Sequence, residues 1–431
     1  MNAAAQIHPS GPRLWADRRL WLMAGFGFMA GLPLPLTGFT LRLWFAENGL
    51  SLGTIGLTAM IGLAYALKFL WAPLLDHAAP PFGLQKFGRR RGWLLAIQPL
   101  LALSAALLAL SDPATAPLAV VAIAVCLAFL SASQDIVIDA WRIETFPTHL
   151  QGAALAAYVW GYRAALLVAG AQAIRLVGWI GWPGAFLAMA ALLALAPLVT
   201  LLAREPATGT PRIGTDSPST TNALTTAIVA PLREFLARPA ALGILAFIAL
   251  FKLGEAMAGV MTAPFYRDLG FDRTAIALAT GELSLAATLA GVAAGGILVA
   301  HFGVGRALIW TAWGQMLSNG MYVLLAFSAG DREILFAAVI VEAFTDGLVD
   351  AAFITYLSGL CAVAYTATHY ALLSSLAAIA TRTLGGLSGY LAETVGWAWF
   401  YTLTMLAALP AMTLMIWLLR RFPLAERSEI R

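Results

Sequence analysis

From Pro117 to Ala140 the chain runs for twenty-four residues with only two charges, Asp135 and Asp139, and apolar blocks of similar length recur along its whole length. A helix needs about 20 apolar residues to cross the hydrocarbon of a bilayer. Lipid also admits few other backbones, because every N–H and C=O must be satisfied internally. The recurrence therefore restricts the chain to an all-α polytopic membrane protein. Composition agrees: of 431 residues, 61% are hydrophobic and 11% charged, where soluble proteins carry roughly 25% charged residues. The two cysteines, Cys126 and Cys361, have neither metal nor redox spacing, so no cofactor is expected from them. The first apolar run, Leu20 to Leu41, is too long for a signal-peptide core and is expected to stay as the first span.

Twelve spans are expected, at approximately 20–41, 51–75, 93–111, 117–140, 152–175, 182–203, 240–262, 274–300, 306–328, 334–356, 369–391 and 397–419. They divide the chain into a bundle over 1–203, a polar linker over 204–239 and a second bundle over 240–431. The linker is rich in Pro, Thr, Ser and Gly and cannot bury a core. Its end, residues 231–238, has the pattern of a short surface-lying amphipathic helix. With a cytoplasmic N-terminus, 17 of the 26 Lys and Arg fall on the inner side and five outside. That bias puts both termini and the linker in the cytoplasm. No P-loop is present, and the net charge of +4 needs no nucleic acid to explain it.

Six spans, a linker and six spans resembles the major facilitator fold, whose halves are repeats around a midplane site. In that layout the fourth and tenth spans correspond. Gln134-Asp-Ile-Val-Ile-Asp-Ala140 in the fourth is echoed by Thr345-Asp-Gly-Leu-Val-Asp-Ala351 in the tenth. Each pair is spaced i, i+4, so both carboxylates share one helix face. Intramembrane carboxylates mark substrate or ion paths by default, which makes Asp135, Asp139, Asp346 and Asp350 the candidates for proton coupling. Glu342 extends the second stripe by one turn. The loop after the second span, with Asp76 followed by Arg89, Arg90 and Arg91, is similar to the charge-pairing cytoplasmic gate of facilitators, with Arg142 nearby at the end of the fourth span. Gly27/Gly31, Gly291/Gly295 and Gly385/Gly389 are spaced for close helix approach.

Several longer segments carry a more specific likeness. Gly31-Leu-Pro-Leu-Pro-Leu-Thr37, Lys68-Phe-Leu-Trp-Ala-Pro-Leu-Leu75, Gly88-Arg-Arg-Arg-Gly-Trp93, Ser133 to Arg142, Lys252-Leu-Gly-Glu-Ala256 and Gly396-Trp-Ala-Trp-Phe-Tyr401 together resemble the AmpG family of muropeptide permeases. The resemblance implies a proton-driven importer of anhydro-muropeptides in a bacterial inner membrane, serving cell-wall recycling, with the proton gradient as its energy source and no cofactor. A monomer is expected. This chain lacks the two extra spans that the family's best-known members carry near the middle, and it has the acids 346 and 350 where the family has a glycine-rich stretch.

An acidic amino-sugar peptide needs cations in the spans, and Lys68, Arg163, Lys252 and Arg382 are expected to be those cations. Gln134, Tyr162 and Glu255 complete the expected substrate contacts. Blander roles stand beside these. Asp139 is open to pairing with Arg142 or Arg163, Lys68 or Arg163 to balancing Asp135, and Lys252 to neutralising Glu255 three residues on. Arg382 is the expected counter-charge of the Glu342–Asp350 stripe. A sugar, acyl-CoA or drug carrier of the same fold is the alternative transporter reading. An intramembrane aspartic enzyme is a further reading, although no protease-like motif surrounds either acid pair.

Overall fold

The computed structural model describes residues 17–147, 150–206, 233, 235–237, 240–328, 330–360 and 366–421. Most of the expected linker and both chain termini lie outside the described residues; of the linker's amphipathic end, residues 233, 235 and 236 are helical and Phe235 is buried. Among those described, the ordered elements are all helical. Eight stretches are long and apolar enough to cross a membrane: Arg18–Glu47, Leu52–Leu70, Arg89–Ala109, Pro117–Thr145, Gln151–Leu202, Ala241–Asp268, Arg273–Phe302 and Trp397–Arg421. The helices Val304–Ala326, Arg332–Leu360 and Thr366–Gly385 stand where three further spans are expected.

Local chemistry explains where these helices bend. The first is regular over Arg18–Gly31, turns through Pro33–Thr37 and resumes at Phe39–Glu47. Pro33 and Pro35 cannot donate to the helix ladder, and the Thr37 hydroxyl donates back to the Pro33 carbonyl at 3.1 Å. The span therefore runs six residues beyond its expected end at 41, carrying Arg42 inside a helix rather than in an outer loop. The stretch Gln151–Leu202 contains two expected spans, separated at Gly181, whose φ of 70° breaks the helix two residues before Pro183. The seventh expected span also breaks, between Ala241–Phe251 and Leu253–Asp268, and the residue at the break is Lys252.

Two compact units emerge from the packing. The first comprises Met1–Thr37, Lys68–Asp112 and Ala116–Thr210. Its core includes Trp141, edge-on to Phe26 at 5.1 Å, with its indole N–H donating to the Arg204 carbonyl at 2.9 Å. The second unit comprises Gly38–Leu67, Pro113–Thr115 and Pro211–Arg431. Its core packs Phe247 and Phe251 against Phe353 and Tyr356.

Two of the three glycine pairs act as expected, while at Gly385 a Cβ would meet only ordinary contacts at 3.5 Å. A Cβ on Gly27 would come within 2.0 Å of the Tyr158 carbonyl, and one on Gly31 within 2.7 Å of that of Tyr162. In the second unit a Cβ on Gly291 would sit 2.1 Å from the Phe344 carbonyl, and one on Gly295 2.8 Å from that of Leu348. The first pair seats the helix that carries Arg163. The second seats the helix that carries Asp346 and Asp350.

Candidate functional site

The second unit holds the densest cluster of intramembrane charge. The ammonium of Lys252, set at the helix break, donates to Asp346 Oδ1 at 2.9 Å and Asp350 Oδ1 at 2.6 Å, and lies 3.3 Å from Glu255 Oε2. Geometry follows from the sequence: the two aspartates share one face of Arg332–Leu360, and Glu255 is one turn beyond the break. The counter-charge of the acidic stripe is thus Lys252, not Arg382 as its sequence position suggested. Arg382 instead packs over Gly62, where a Cβ would come within 2.7 Å of its Nε. Glu342 lies one turn beyond Asp346, within hydrogen-bonding reach of the Tyr322 hydroxyl, which in turn is 3.5 Å from that of Tyr266.

A residue that sequence reading left outside the site joins this unit. Arg42 is only 9% exposed, and its Nε has no hydrogen-bond partner among the described residues. The charge acting on it is the like-charged Arg382. The linear pattern carried little signal here, because a lone Arg close to an expected span end reads as a loop residue.

The same unit fastens Gly38–Leu67 to its other helices. Glu47 accepts two hydrogen bonds from Arg273, at 2.9 and 2.7 Å, and Glu393 Oε1 accepts the Gly53 amide at 2.9 Å. Gly389 allows the contact, since a Cβ there would meet the Leu52 carbonyl at 1.8 Å.

In the first unit the fourth span presents Asp135 with Lys68 and Asp139 as the charges acting on it. Its Oδ1 is buried without a hydrogen-bond partner. Asp139 is 3.4 Å from Arg142, which also donates to Gln151 Oε1 at 3.0 Å. Of the two pairings open to Asp139, the Arg142 pairing forms. Lys68 and Arg163 have no hydrogen-bond acceptor among the described residues, and both are partly exposed. Gln134 is fully buried and donates to the Met29 carbonyl at 3.4 Å, while Tyr162 stacks loosely on Tyr158 at 5.9 Å.

The arginine loop forms a separate ionic lock in this unit. Arg90, whose side chain is 6% exposed, bridges Asp76 at 2.7 Å and Glu144 at 2.5 Å. Arg89 donates to the Asp76 carbonyl at 2.9 Å. Arg91 donates to the carbonyls of Thr200 and Leu201 at 3.2 and 3.1 Å. Glu205 accepts the amides of Arg90 and Arg91 at 2.8 and 3.0 Å. Arg142, grouped with this loop by sequence, belongs instead with Asp139. Glu144 and Glu205 complete the lock; an acid at the C-terminal end of the helix Pro117–Thr145, two residues past Arg142, was the available signal for the first.

Similarity to other proteins agrees with this architecture. The Major Facilitator Superfamily profile matches residues 21–253. The anhydromuropeptide permease of Escherichia coli K12 is 40% identical over 406 residues, covering 94% of this chain and 80% of the permease. The chain belongs to the AmpG family of the major facilitator superfamily. A Rickettsia felis protein named AmpG 4 is 32% identical over 408 residues, covering 94% of this chain and 98% of its own. Among solved structures, a bacterial homologue of the lysosomal transporter Spinster superposes with a TM-score of 0.67 at 17% identity, covering 95% of this chain and 96% of its own. The nucleoside transporter NupG gives 0.68 at 15% identity, covering 94% and 100%. These two share the fold. This AmpG-family chain is therefore a multi-pass membrane transporter and not an enzyme.

Proposed function

We propose that the chain imports anhydro-muropeptides across a bacterial inner membrane by proton symport and alternating access. The observation that carries this reading is the unequal state of the intramembrane cations. Lys252 is enclosed by three carboxylates, whereas Lys68 and Arg163 have no hydrogen-bond acceptor among the described residues. A ligand with carboxylates on its peptide and lactyl groups supplies what Lys68 and Arg163 lack. A charge-assisted hydrogen bond to each is worth about 1.5–3 kcal/mol. The acids around Lys252, together with Asp135 and Asp139, exceed the cations beside them and suit proton binding.

In this reading the Arg90–Asp76–Glu144 lock is the inner gate, and the Arg273–Glu47 pair with the Glu393–Gly53 contact is the outer gate. The similarity to the anhydromuropeptide permease supports the substrate. The excess of Lys and Arg on one side supports cytoplasmic termini. The test is uptake into proteoliposomes of a disaccharide anhydro-muropeptide beside a neutral hexose, with and without an imposed pH gradient. Uphill accumulation of the muropeptide alone, and only with the gradient, is expected. Uptake of the hexose without the muropeptide would assign the chain to the sugar-carrier alternative.

A further inference from the structure

Beside Lys252 the second unit contains a small pocket of about 20 Å³, room for about one water, lined by Glu255, Gln315, Asn319, Phe251, Met316 and Met412 among others. Its apolar walls offer no hydrogen bonds, yet the polar groups on its lining need several. Glu255 Oε2, both amide atoms of Gln315 and Asn319 Oδ1 are buried without a hydrogen-bond partner. Gln315 is 8% exposed and Asn319 2%. Each such group costs about 1–3 kcal/mol if left unmet, and native proteins leave few of them so. The lining therefore calls for a hydrogen-bonding occupant.

The lining decides what that occupant is. Three oxygens ask for donors, and the Gln315 Nε2 asks for an acceptor. A bare cation would leave that amide unmet, and an anion would face the Glu255 carboxylate. Water donates and accepts, and buried waters typically make about three such bonds. The charges acting on Glu255 are Lys252, Asp346 and Glu342, and Asp350 reaches it through Lys252. The helix Val304–Ala326 contributes the uncharged Gln315 and Asn319, and Ala408–Arg421 the apolar Ala408 and Met412. Other helices packed on Leu253–Asp268 bear Arg42, Glu47, Arg382 and Glu393, none of which is among the charges acting on Glu255.

We propose that this pocket holds water hydrogen-bonded to Glu255 Oε2, that Glu255 takes up and releases a transported proton there, and that Gln315 and Asn319 are positioning residues for that water. The proposal rests on the proton-symport reading above. On uptake, an O–H bond forms at Glu255 Oε2 as one breaks on a protonated water, and the water remains neutral in the pocket. Lys252 then keeps two charged partners, Asp346 and Asp350, in place of three. Release reverses the step.

The test is infrared difference spectroscopy of the full-length protein in lipid as bulk pH is stepped, which needs no substrate. A protonated-carboxyl band absent from Glu255→Gln is expected. Its titration midpoint should move by about one pH unit, a tenfold change in proton affinity, in Gln315→Leu and in Asn319→Leu, and return in Asn319→Ser. Where one Leu variant fails to fold, the other carries the same test. A band that persists in Glu255→Gln, or a midpoint unmoved in the Leu variants, overturns the proposal. A dry pocket would also be recognised by Gln315→Leu raising thermal stability with the titration unchanged. If the band behaves as expected but no muropeptide is taken up, the substrate reading fails and this inference stands.

Discussion

At the residue scale the governing fact is how each intramembrane charge is compensated. Lys252 holds three acids, so its loss leaves them facing one another in a low-dielectric interior. Removing one partner of a buried ion pair costs about 3–5 kcal/mol. Lys252→Ala is therefore expected to lower the thermal unfolding midpoint in detergent markedly, and Lys252→Ala with Asp346→Asn to restore part of it. If the double variant is no more stable than the single one, the Lys252–Asp346 contact at 2.9 Å is not a stabilising pair. Lys68 and Arg163 invite the opposite experiment. Replacing either by Gln should weaken uptake of an acidic muropeptide by roughly ten- to a hundredfold, equivalent to one charged hydrogen bond, with protein yield unchanged. Equal loss for a neutral analogue would assign these cations a structural role. Asp135→Asn should leave exchange of substrate intact and remove pH-driven accumulation, because the amide keeps the carboxyl's shape without carrying a proton. Its orphaned Oδ1 motivates that choice over Asp139, which is held by Arg142.

At the element scale, helices are positioned by backbone contact through glycine as much as by side-chain packing. A Leu at Gly291 would drive its Cβ into the Phe344 carbonyl, 2.1 Å away, and separate the helices Ser284–Phe302 and Arg332–Leu360. The acids 346 and 350 ride on the second of these. Gly291→Leu is expected to abolish uphill uptake and lower stability, measured by uptake and by thermal unfolding on the same preparation. Retained accumulation in a folded variant would show that the helix spacing does not matter to coupling. The helix breaks matter in another way. Pro33 and Pro35 account for the bend in the first span. Nothing comparable marked the break at Lys252, which lacks a neighbouring proline; an apolar run with one lysine reads as continuous helix. The Arg273–Glu47 and Glu393–Gly53 contacts join residues some 226 and 340 positions apart, a distance at which local pattern carries no information. Arg273→Ala should raise the reactivity of a cysteine placed at Ser51 toward an impermeant thiol reagent if these contacts form the outer gate.

At the scale of the whole molecule, the sequence determined the class of structure and much of its chemistry. Apolar blocks of spanning length leave helices as the accessible architecture, because hydrocarbon cannot satisfy open backbone. The repeated i, i+4 acid pairs put carboxylates on two helix faces, since helical geometry alone decides which residues share a face. The Lys and Arg count leads to one further expectation. In a variant lacking Cys126 and Cys361, a cysteine at Thr115 should label from outside intact cells and one at Gly209 should not; equal labelling would refute this topology. Tertiary structure alone decided which charge meets which. A linear reading gives the acidic stripe to Arg382, and the break in the seventh span brings Lys252 to it instead. Glu144 and Glu205 complete the arginine lock, Arg42 is drawn inside, and Gln315 and Asn319 reach Glu255 across a shared pocket. Periodicity fixes the face on which a side chain stands. The partner it meets there depends on how separate helices pack, and a few ångströms of helix position decide whether a charge is paired, solvated or left for a ligand.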